Sequence, residues 1–250
     1  MEYKVSMAVR TGRHHESRNQ PCQDQAAVRR ENGTVCAALA DGAGSRKDSR
    51  MGAACVTRQI TELLCREFDT LWEMPEGALK CRLVESCLQA MAEQETPLYD
   101  QACTLLFFAG REDGRFLSGH LGDGLQLRVT EQGAEVFSPP ENGEYLNETY
   151  FITSEDAWEH LRLRRGRLPS AGVVMLMSDG MAESLYQRTT GLPAAACRRM
   201  AQWLLDGEEE TVSRALADNM ERVFSQRSGD DLSLVMLAWD ETEEGERSDG

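Results

Sequence analysis

The sequence predicts an α+β fold in which antiparallel sheets and pairs of helices pack as a layered sandwich. Strand-like segments follow one another through short turns, which is typical of antiparallel pairing. Helix-like segments come in two pairs, one in each half of the 250-residue chain, and do not alternate with strands as in a doubly wound parallel sheet. We therefore predict one domain over residues 1–240 and an acidic tail over residues 241–250, which contains too little apolar surface to fold.

The first half of the chain is predicted to contain three strands and two helices. Apolar and polar residues alternate over residues 3–10, which indicates a half-buried strand. Residues 25–31 and 34–40 flank Asn32-Gly33, a dipeptide typical of tight hairpin turns. Two helices follow, each with an apolar face at helical spacing. These faces comprise Gly52, Val56, Ile60, Leu63, Leu64 and Phe68 in one helix, and Leu79, Leu83, Val84, Cys87, Leu88 and Met91 in the other.

The second half of the chain is predicted to begin with a four-stranded meander. Short turns that contain glycine join its strands, which we expect over residues 103–109, 116–121, 125–129 and 134–137. Residues 138–170 are polar, so an irregular segment is expected there. The remaining elements are a strand over 173–177, helices over about 193–206 and 209–226, and a final strand over 232–239.

Charge and composition indicate which classes of partner are disfavoured and in which cellular compartment we expect the protein. The chain has 27 basic and 42 acidic residues, a formal net charge of −15, which disfavours nucleic acids and anionic membranes as partners. The N-terminus shows no signal-peptide pattern, and no apolar run approaches the roughly 18–20 residues that span a bilayer. The eight cysteines form no Cys-x-x-Cys pair, so we expect reduced thiols and a cytoplasmic protein.

Aspartates stand at the ends of several predicted core strands. Asp41 and Asp179 each end an apolar strand and are followed by glycine, and Asp230 comes just before another such strand. Asp123 lies between two strands. Carboxylates at strand ends can converge on one edge of a sheet, and Mg²⁺ and Mn²⁺ prefer oxygen ligands of this kind. Asp-Gly pairs also form simple turns, as we expect at Asp113, so spacing alone leaves both a metal site and turns open.

Five short motifs follow one another along the chain. They are CQD at residues 22–24, ADGAGS from Ala40, GHLGDG from Gly119, MSDGMAES from Met177 and GDDLSLVML from Gly229. In order and spacing these motifs resemble the metal-dependent type 2C protein phosphatases, and the resemblance covers about residues 5–239. The segment from Gly143 to Phe151 further resembles a bacterial branch of that family. The resemblance implies a four-layer α-β-β-α sandwich. It also implies a Ser/Thr phosphatase acting on a phosphoprotein, with a Ser/Thr kinase or a kinase target as candidate partner.

The resemblance also implies a set of metal ligands. Asp41 would bridge two Mn²⁺ or Mg²⁺ ions, and the carbonyl of Gly42 would bind one of them. Asp179 and Asp230 would complete the shell of the second ion. Asp123 matches the position that, together with Asp179, holds a third and more weakly bound ion in bacterial relatives.

The implied reaction is direct hydrolysis of a phosphate monoester by a metal-bridging hydroxide, without a phosphoenzyme. Asp24 would orient the metal-bound water. Arg18 is the candidate side chain for clamping the phosphate, with Arg13, His14 and His15 as alternatives.

The chain departs from the family pattern at several positions, among them Asn19, which stands where the family has its usual phosphate-binding Arg. Gln23 replaces a frequent Glu, Ala43 replaces the His of animal members, Gly124 replaces a Ser, and Asp231 replaces an Asn. These departures leave open a catalytically degenerate module that binds a phosphoprotein for regulation. A third alternative is an interaction protein that uses its acidic tail.

A specificity region is also predicted from the sequence. Residues 138–170 border the strand that ends at Asp179, and loops on rigid scaffolds often contact substrate. We expect this segment to contact substrate through its arginines, namely Arg162, Arg164, Arg165 and Arg167.

Overall fold

The fold is described from a computed structural model, which covers residues 1–141 and 149–241. Within these residues the strands are β1 (Glu2–Arg10), β2 (Gln25–Glu31), β3 (Thr34–Ala40), β4 (Leu105–Arg111), β5 (Arg115–Leu121), β6 (Leu125–Thr130), β7 (Gly133–Ser138), β8 (Arg162–Arg167), β9 (Ala171–Met177), β10 (Tyr186–Gln187), β11 (Leu192–Pro193) and β12 (Leu232–Asp240). The α-helices are α1 (Arg13–Glu16), α2 (Ser49–Glu73), α3 (Glu76–Ala92), α4 (Ala157–His160), α5 (Asp179–Leu185), α6 (Ala195–Asp206) and α7 (Glu209–Arg222).

Two five-stranded antiparallel sheets form the centre of the molecule. Sheet I has the strand order β1-β12-β9-β6-β7, and sheet II has the order β2-β3-β4-β5-β8. Helices α2 and α3 pack on the outer face of sheet II, and helices α6 and α7 pack on the outer face of sheet I. The predicted α+β sandwich of two sheets flanked by helix pairs is therefore confirmed.

Strand β3 illustrates why the central strands are apolar throughout. All seven of its residues are buried, because each of its faces packs against a different layer. Cys36, Ala38 and Ala40 pack beneath the helices, whereas Val35, Ala37 and Leu39 pack between the sheets. A third apolar core lies between sheet I and helices α5, α6 and α7.

The hairpin of β2 and β3 forms as predicted. Both central residues of its turn have positive φ, 53° at Asn32 and 70° at Gly33, so the turn has the twist that suits a two-residue hairpin. The register places Glu31 opposite Thr34 directly beside the turn.

The predicted meander over residues 103–137 is wrong at its centre. Strands β4 and β5 pair in sheet II, and β6 and β7 pair in sheet I, but β5 and β6 lie in different sheets. The chain crosses between the sheets through Gly122, Asp123 and Gly124. Gly122 has a φ of +109°, and a Cβ there would lie 2.6 Å from Thr104 Cγ2, so glycine is required at the crossover.

The segment over residues 138–170 is more regular than the sequence predicts. It contains helix α4 and strand β8, which pairs with β5 as the edge strand of sheet II. Four of the six residues of β8 are arginines, so the strand lacks the apolar alternation that would reveal it. Part of the segment, residues 142–148, lies outside the described residues, as do residues 242–250 of the predicted tail.

Two further findings bear on the sequence predictions. All eight cysteines are free thiols. Among the described helices none combines the length and the apolar character needed to cross a membrane.

Candidate active site

Four aspartates meet at one end of the two sheets. Asp41 directly follows β3, Asp179 follows β9 as the first helical position of α5, and Asp230 precedes β12. Strands β9 and β12 are antiparallel neighbours, so the end of one lies beside the start of the other. Asp123 reaches the same place because it lies in the crossover between the sheets. All four line a cleft of about 360 Å³.

Backbone pairing holds Asp41 and Gly42 in position. The Asp41 amide donates to Thr104 Oγ1 at 2.9 Å, and the Thr104 amide donates to the Asp41 carbonyl at 2.8 Å. Gly42 then forms a β-bridge with Cys103. A Cβ at Gly42 would lie 2.9 Å from the backbone of Ser49, so the chain at this point packs closely against the start of α2.

Asp24 is fully buried next to the cleft and does not line it. Its Oδ2 accepts a 2.6 Å hydrogen bond from Ser233 Oγ, whereas its Oδ1 has no hydrogen-bond partner among the described residues. Burial raises the pKa of Asp24 to about 7, and the hydrogen bond from Ser233 opposes this rise.

The cleft carboxylates lie close enough together to influence one another. Burial raises the pKa of Asp41 well above its usual range, and neighbouring charges, of which Asp24 and Asp179 are the strongest, raise it further. Burial likewise raises the pKa of Asp179 to about 7, with added repulsion from Asp123 and Asp230. Each shift has the cause expected of carboxylates that share one desolvated site.

Direct ion pairs with Lys or Arg do not compensate the charge of these aspartates in the described part of the chain. Within residues 1–141 and 149–241, none of the four cleft aspartates forms a salt bridge with Lys or Arg. Unneutralised carboxylates around an open cleft form a donor set that fits hard divalent cations.

The cleft suits cations that keep several of their water ligands, because it does not surround an ion with protein ligands on all sides. In the described part of the chain, no three His, Cys, Asp or Glu side chains already form a group that could hold a metal ion. Mg²⁺ commonly keeps several waters and takes only one or two carboxylates directly, so a spaced acidic cleft is compatible with its binding.

Asp231 connects the cleft to the N-terminal segment. Its Oδ1 accepts a 2.6 Å hydrogen bond from the Gly12 amide, and its Oδ2 accepts one of the same length from the Gln23 amide. His15 Nδ1 lies 3.0 Å from Oδ1. The sequence marked Asp231 only as a replacement for Asn, and no local signal reveals this role because the partners are about 200 residues away.

The N-terminal segment also brings positive and titratable groups to the cleft. Arg18, His14 and His15 line it, whereas Arg13 does not. The His14 amide donates to the Gly229 carbonyl at 2.9 Å, which fixes this segment against the loop that carries Asp230. Arg18 and the alternatives His14 and His15 thus share one cleft with the four aspartates, and the phosphate-binding role of Arg18 stays a prediction.

Three further residues that are not among the predicted metal ligands line the cleft, namely Thr104, Thr149 and Phe151. Thr149 Oγ1 donates to Asp123 Oδ2 at 2.7 Å. Thr104 directly precedes β4, whereas Thr149 and Phe151 belong to the segment over residues 138–170 that the sequence predicts to contact substrate.

The four arginines of β8 lie outside the lining of the acidic cleft, and their contact with substrate stays a prediction. Arg162 donates to the Pro139 carbonyl at 2.7 Å, and Arg165 donates to the Trp72 carbonyl at 2.6 Å. These bonds tie the edge strand of sheet II to the chain after β7 and to the end of α2, which gives Arg162 and Arg165 a structural role.

Comparison with known proteins identifies the family of this chain. The family model described as protein phosphatase 2C matches residues 11–221, a range that includes Asp24, Asp41, Asp123 and Asp179 but ends before Asp230. Serine/threonine-protein phosphatase 3 of Escherichia coli (strain K12) is 26% identical over 264 residues, which cover 96% of this chain and all of that protein.

Solved structures show the same fold at low sequence identity. The serine/threonine phosphatase of S. agalactiae superposes with a TM-score of 0.68 at 13% identity, over 96% of this chain and 100% of its own. RsbX, solved in complex with magnesium, superposes with a TM-score of 0.57 at 13% identity, over 94% of each chain.

Proposed function

The chain belongs to the protein phosphatase 2C family, and on this premise we propose that it is a metal-dependent protein serine/threonine phosphatase of bacterial type. The observation that carries the proposal is the convergence of Asp41, Asp123, Asp179 and Asp230 on one cleft. The named activity of the E. coli relative supports the same reaction class.

Mn²⁺ or Mg²⁺ would be held by the residues that the sequence predicts. Asp41 would bind two metal ions, and the Gly42 carbonyl would bind one of them. Asp179 and Asp230 would complete the ligands of the second ion, and Asp123 would bind a third ion. Two bound ions would supply an activated water for in-line attack on phosphorus and would neutralise the charge that develops there.

The remaining residues at the cleft would bind the phosphate group of the substrate and orient the attacking water. Arg18 would hold phosphate oxygens through charge-assisted hydrogen bonds. The unpartnered Oδ1 of Asp24 offers an acceptor at the buried side of the cleft, where it would orient the attacking water. Asp231 would hold the segment that carries Arg18 and His15 in place.

The substrate would be a phosphoprotein, either a Ser/Thr kinase or one of its targets. The domain limits, residues 1–240, and the acidic tail, residues 241–250, stay predictions from the sequence, as does the cytoplasmic location. A degenerate module that binds phosphoprotein without turnover is the competing proposal, motivated by Gln23, Ala43 and Gly124.

The proposal is tested by hydrolysis of p-nitrophenyl phosphate and of a phosphoserine peptide with Mn²⁺, Mg²⁺ or chelator. Asp179→Asn should lower turnover by about 100-fold or more, because a lost ligand costs at least as much as a lost supporting residue. Asp206→Asn is the matched control, since Asp206 also precedes a glycine but lies at the end of α6.

The same assay tests Arg18. Arg18→Ala should raise KM for the peptide about tenfold, the effect of losing one charge-assisted contact, while Arg13→Ala should leave KM unchanged. Turnover that survives chelator and Asp179→Asn would refute the metal-dependent phosphatase. Metal-dependent phosphopeptide binding without any turnover would favour the degenerate module.

A further inference from the structure

A second cleft lies on the outer side of sheet I, between helices α5, α6 and α7. Its volume is about 280 Å³. Buried Leu185, Met200 and Leu216 contribute its apolar lining. Trp203 and Val223 also line it and are 41% and 43% exposed. Large apolar side chains thus remain open to solvent around a preformed depression.

Two arginines, Arg199 and Arg227, also line this cleft, which we call the arginine-flanked cleft. Neither Arg199 nor Arg227 forms a salt bridge with any side chain in the described ranges, although the chain carries a net charge of −15. Unpaired guanidinium groups beside an apolar surface favour a ligand that combines carboxylates with an apolar group.

A buried hydroxyl gives a second, independent indication of a ligand. Ser184 lines the cleft and is 9% exposed, and its Oγ has no hydrogen-bond partner among the described residues. A helical serine can satisfy its hydroxyl on the carbonyl four residues earlier, but Ser184 does not. Leaving such a group unpaired costs free energy, so an acceptor supplied by a ligand would stabilise the cleft.

The size of the cleft restricts the occupant. At about 280 Å³ it is smaller than the usual site for a drug-sized ligand, but it has room for one large side chain. Protein interfaces commonly use one such side chain as an anchor in a pocket. The chain's own acidic tail, residues 241–250, contains no large apolar side chain and so lacks an anchor.

We propose that the arginine-flanked cleft is a docking site for an acidic segment of a partner protein, with one large apolar side chain as its anchor. The anchor would pack on Met200 and Trp203, and flanking carboxylates would pair with Arg199 and Arg227. Ser184 Oγ would donate to a carbonyl of the bound segment.

The docking site is adjacent in the chain to two metal-ligand candidates. Helix α5 begins at Asp179 and carries Ser184, and Arg227 precedes Asp230 by three residues. Binding can be measured without turnover, so its absence would leave the phosphatase proposal untouched.

The test uses a displayed library of random heptapeptides, selected on the wild-type protein and then synthesised for affinity measurement. The selected peptides should share one large apolar residue next to Asp or Glu. Arg199→Glu combined with Arg227→Glu should weaken their binding by about tenfold or more, because two charge-assisted contacts become repulsive. Replacing the apolar residue of the peptide with Ser should also abolish binding.

Arg198→Glu combined with Arg222→Glu is the matched control. Both residues are exposed on α6 and α7, carry the same charge change and do not line the cleft. The control should bind the selected peptides within about twofold of wild type. Failure to enrich such peptides, or equal binding by the Arg199/Arg227 variant and wild type, would overturn the docking site.

Discussion

At the scale of single residues, Asp231 decides how the N-terminal segment meets the cleft. Both carboxylate oxygens accept backbone amides, one from Gly12 and one from Gln23. A carboxylate can accept from both, whereas an asparagine has one acceptor oxygen and would turn an N–H group towards the second amide. The acid at this position is therefore a structural requirement of this chain.

Asp231→Asn should lower the free energy of unfolding by about 1–3 kcal/mol, the cost of leaving a buried donor unsatisfied. Urea denaturation measures this change directly. Asp218→Asn, an exposed position on α7, should leave stability within about 0.5 kcal/mol of wild type. Equal stability of the two variants would contradict the role assigned to Asp231.

Sequence reasoning reached some of these residues and not others. Asp41 and Asp179 could be predicted, because each directly follows an apolar strand and strand ends share an edge. Asp231 could not be understood in this way, since its contacts join residues more than 200 positions apart. The hydrogen bond from Thr149 to Asp123 could not be predicted either, although Thr149 lies in the segment expected to contact substrate, because its two partners are 26 residues apart.

At the scale of elements, the crossover between β5 and β6 positions half of the cleft. It carries Asp123, and its first residue, Gly122, packs against Thr104, whose side chain and backbone hold Asp41. A change at this crossover should therefore disturb two of the four cleft aspartates together.

Gly122→Ala should destabilise the fold and also reduce Mn²⁺ affinity, because a Cβ at φ +109° would press on Thr104. Gly133→Ala is the matched control: its φ is +131°, but a Cβ there meets nothing within 4 Å. We expect both variants to lose about 1–3 kcal/mol, and only Gly122→Ala to lose metal affinity in calorimetric titration. Similar Mn²⁺ affinity in the two variants would show that the crossover does not position the cleft.

The elements also show where pattern reading fails. A short glycine turn fits a hairpin within one sheet or a passage between two sheets, so the predicted meander placed β5 beside β6. Strand β8 was missed because four of its six residues are arginines, which removes the apolar alternation that predicts a strand. The hairpin at Asn32-Gly33 was predicted correctly because both residues tolerate positive φ.

At the scale of the whole molecule, the acidic cleft makes the stability of the fold depend on pH and on the binding of divalent cations. The pKa values of Asp24 and Asp179 are raised to about 7 in the folded chain, against about 4 for an exposed aspartate. Between these values the folded state binds more protons than the unfolded state, so stability falls as pH rises. Divalent cations compete with these protons and should restore stability where the carboxylates are ionised.

Calorimetry in the presence of chelator should therefore show that the free energy of unfolding depends on pH. The two carboxylates make the free energy of unfolding fall between about pH 4 and pH 7, and the Asp24→Asn, Asp179→Asn double variant should show a smaller fall. The rise in Tm on adding Mn²⁺ should be larger at pH 7.5 than at pH 5.5. Identical pH profiles for the wild type and the double variant would contradict the assigned cause.

The layered architecture was predictable from the sequence because helices and strands each impose a characteristic spacing on their apolar residues. The two helix pairs show apolar faces at helical spacing, and the central strands are apolar on both faces because each packs in two cores. Which strands share a sheet was not predictable, since that depends on contacts between residues far apart in the chain.

The account depends most on the claim that the four cleft aspartates form a divalent-metal centre. An anomalous difference map at the manganese edge, from crystals grown with Mn²⁺, measures this directly. We expect at least two peaks in the cleft, with ligand distances of about 2–2.5 Å to oxygens that include Asp41 and Asp179. A map at saturating Mn²⁺ without any peak among these aspartates would contradict the central claim.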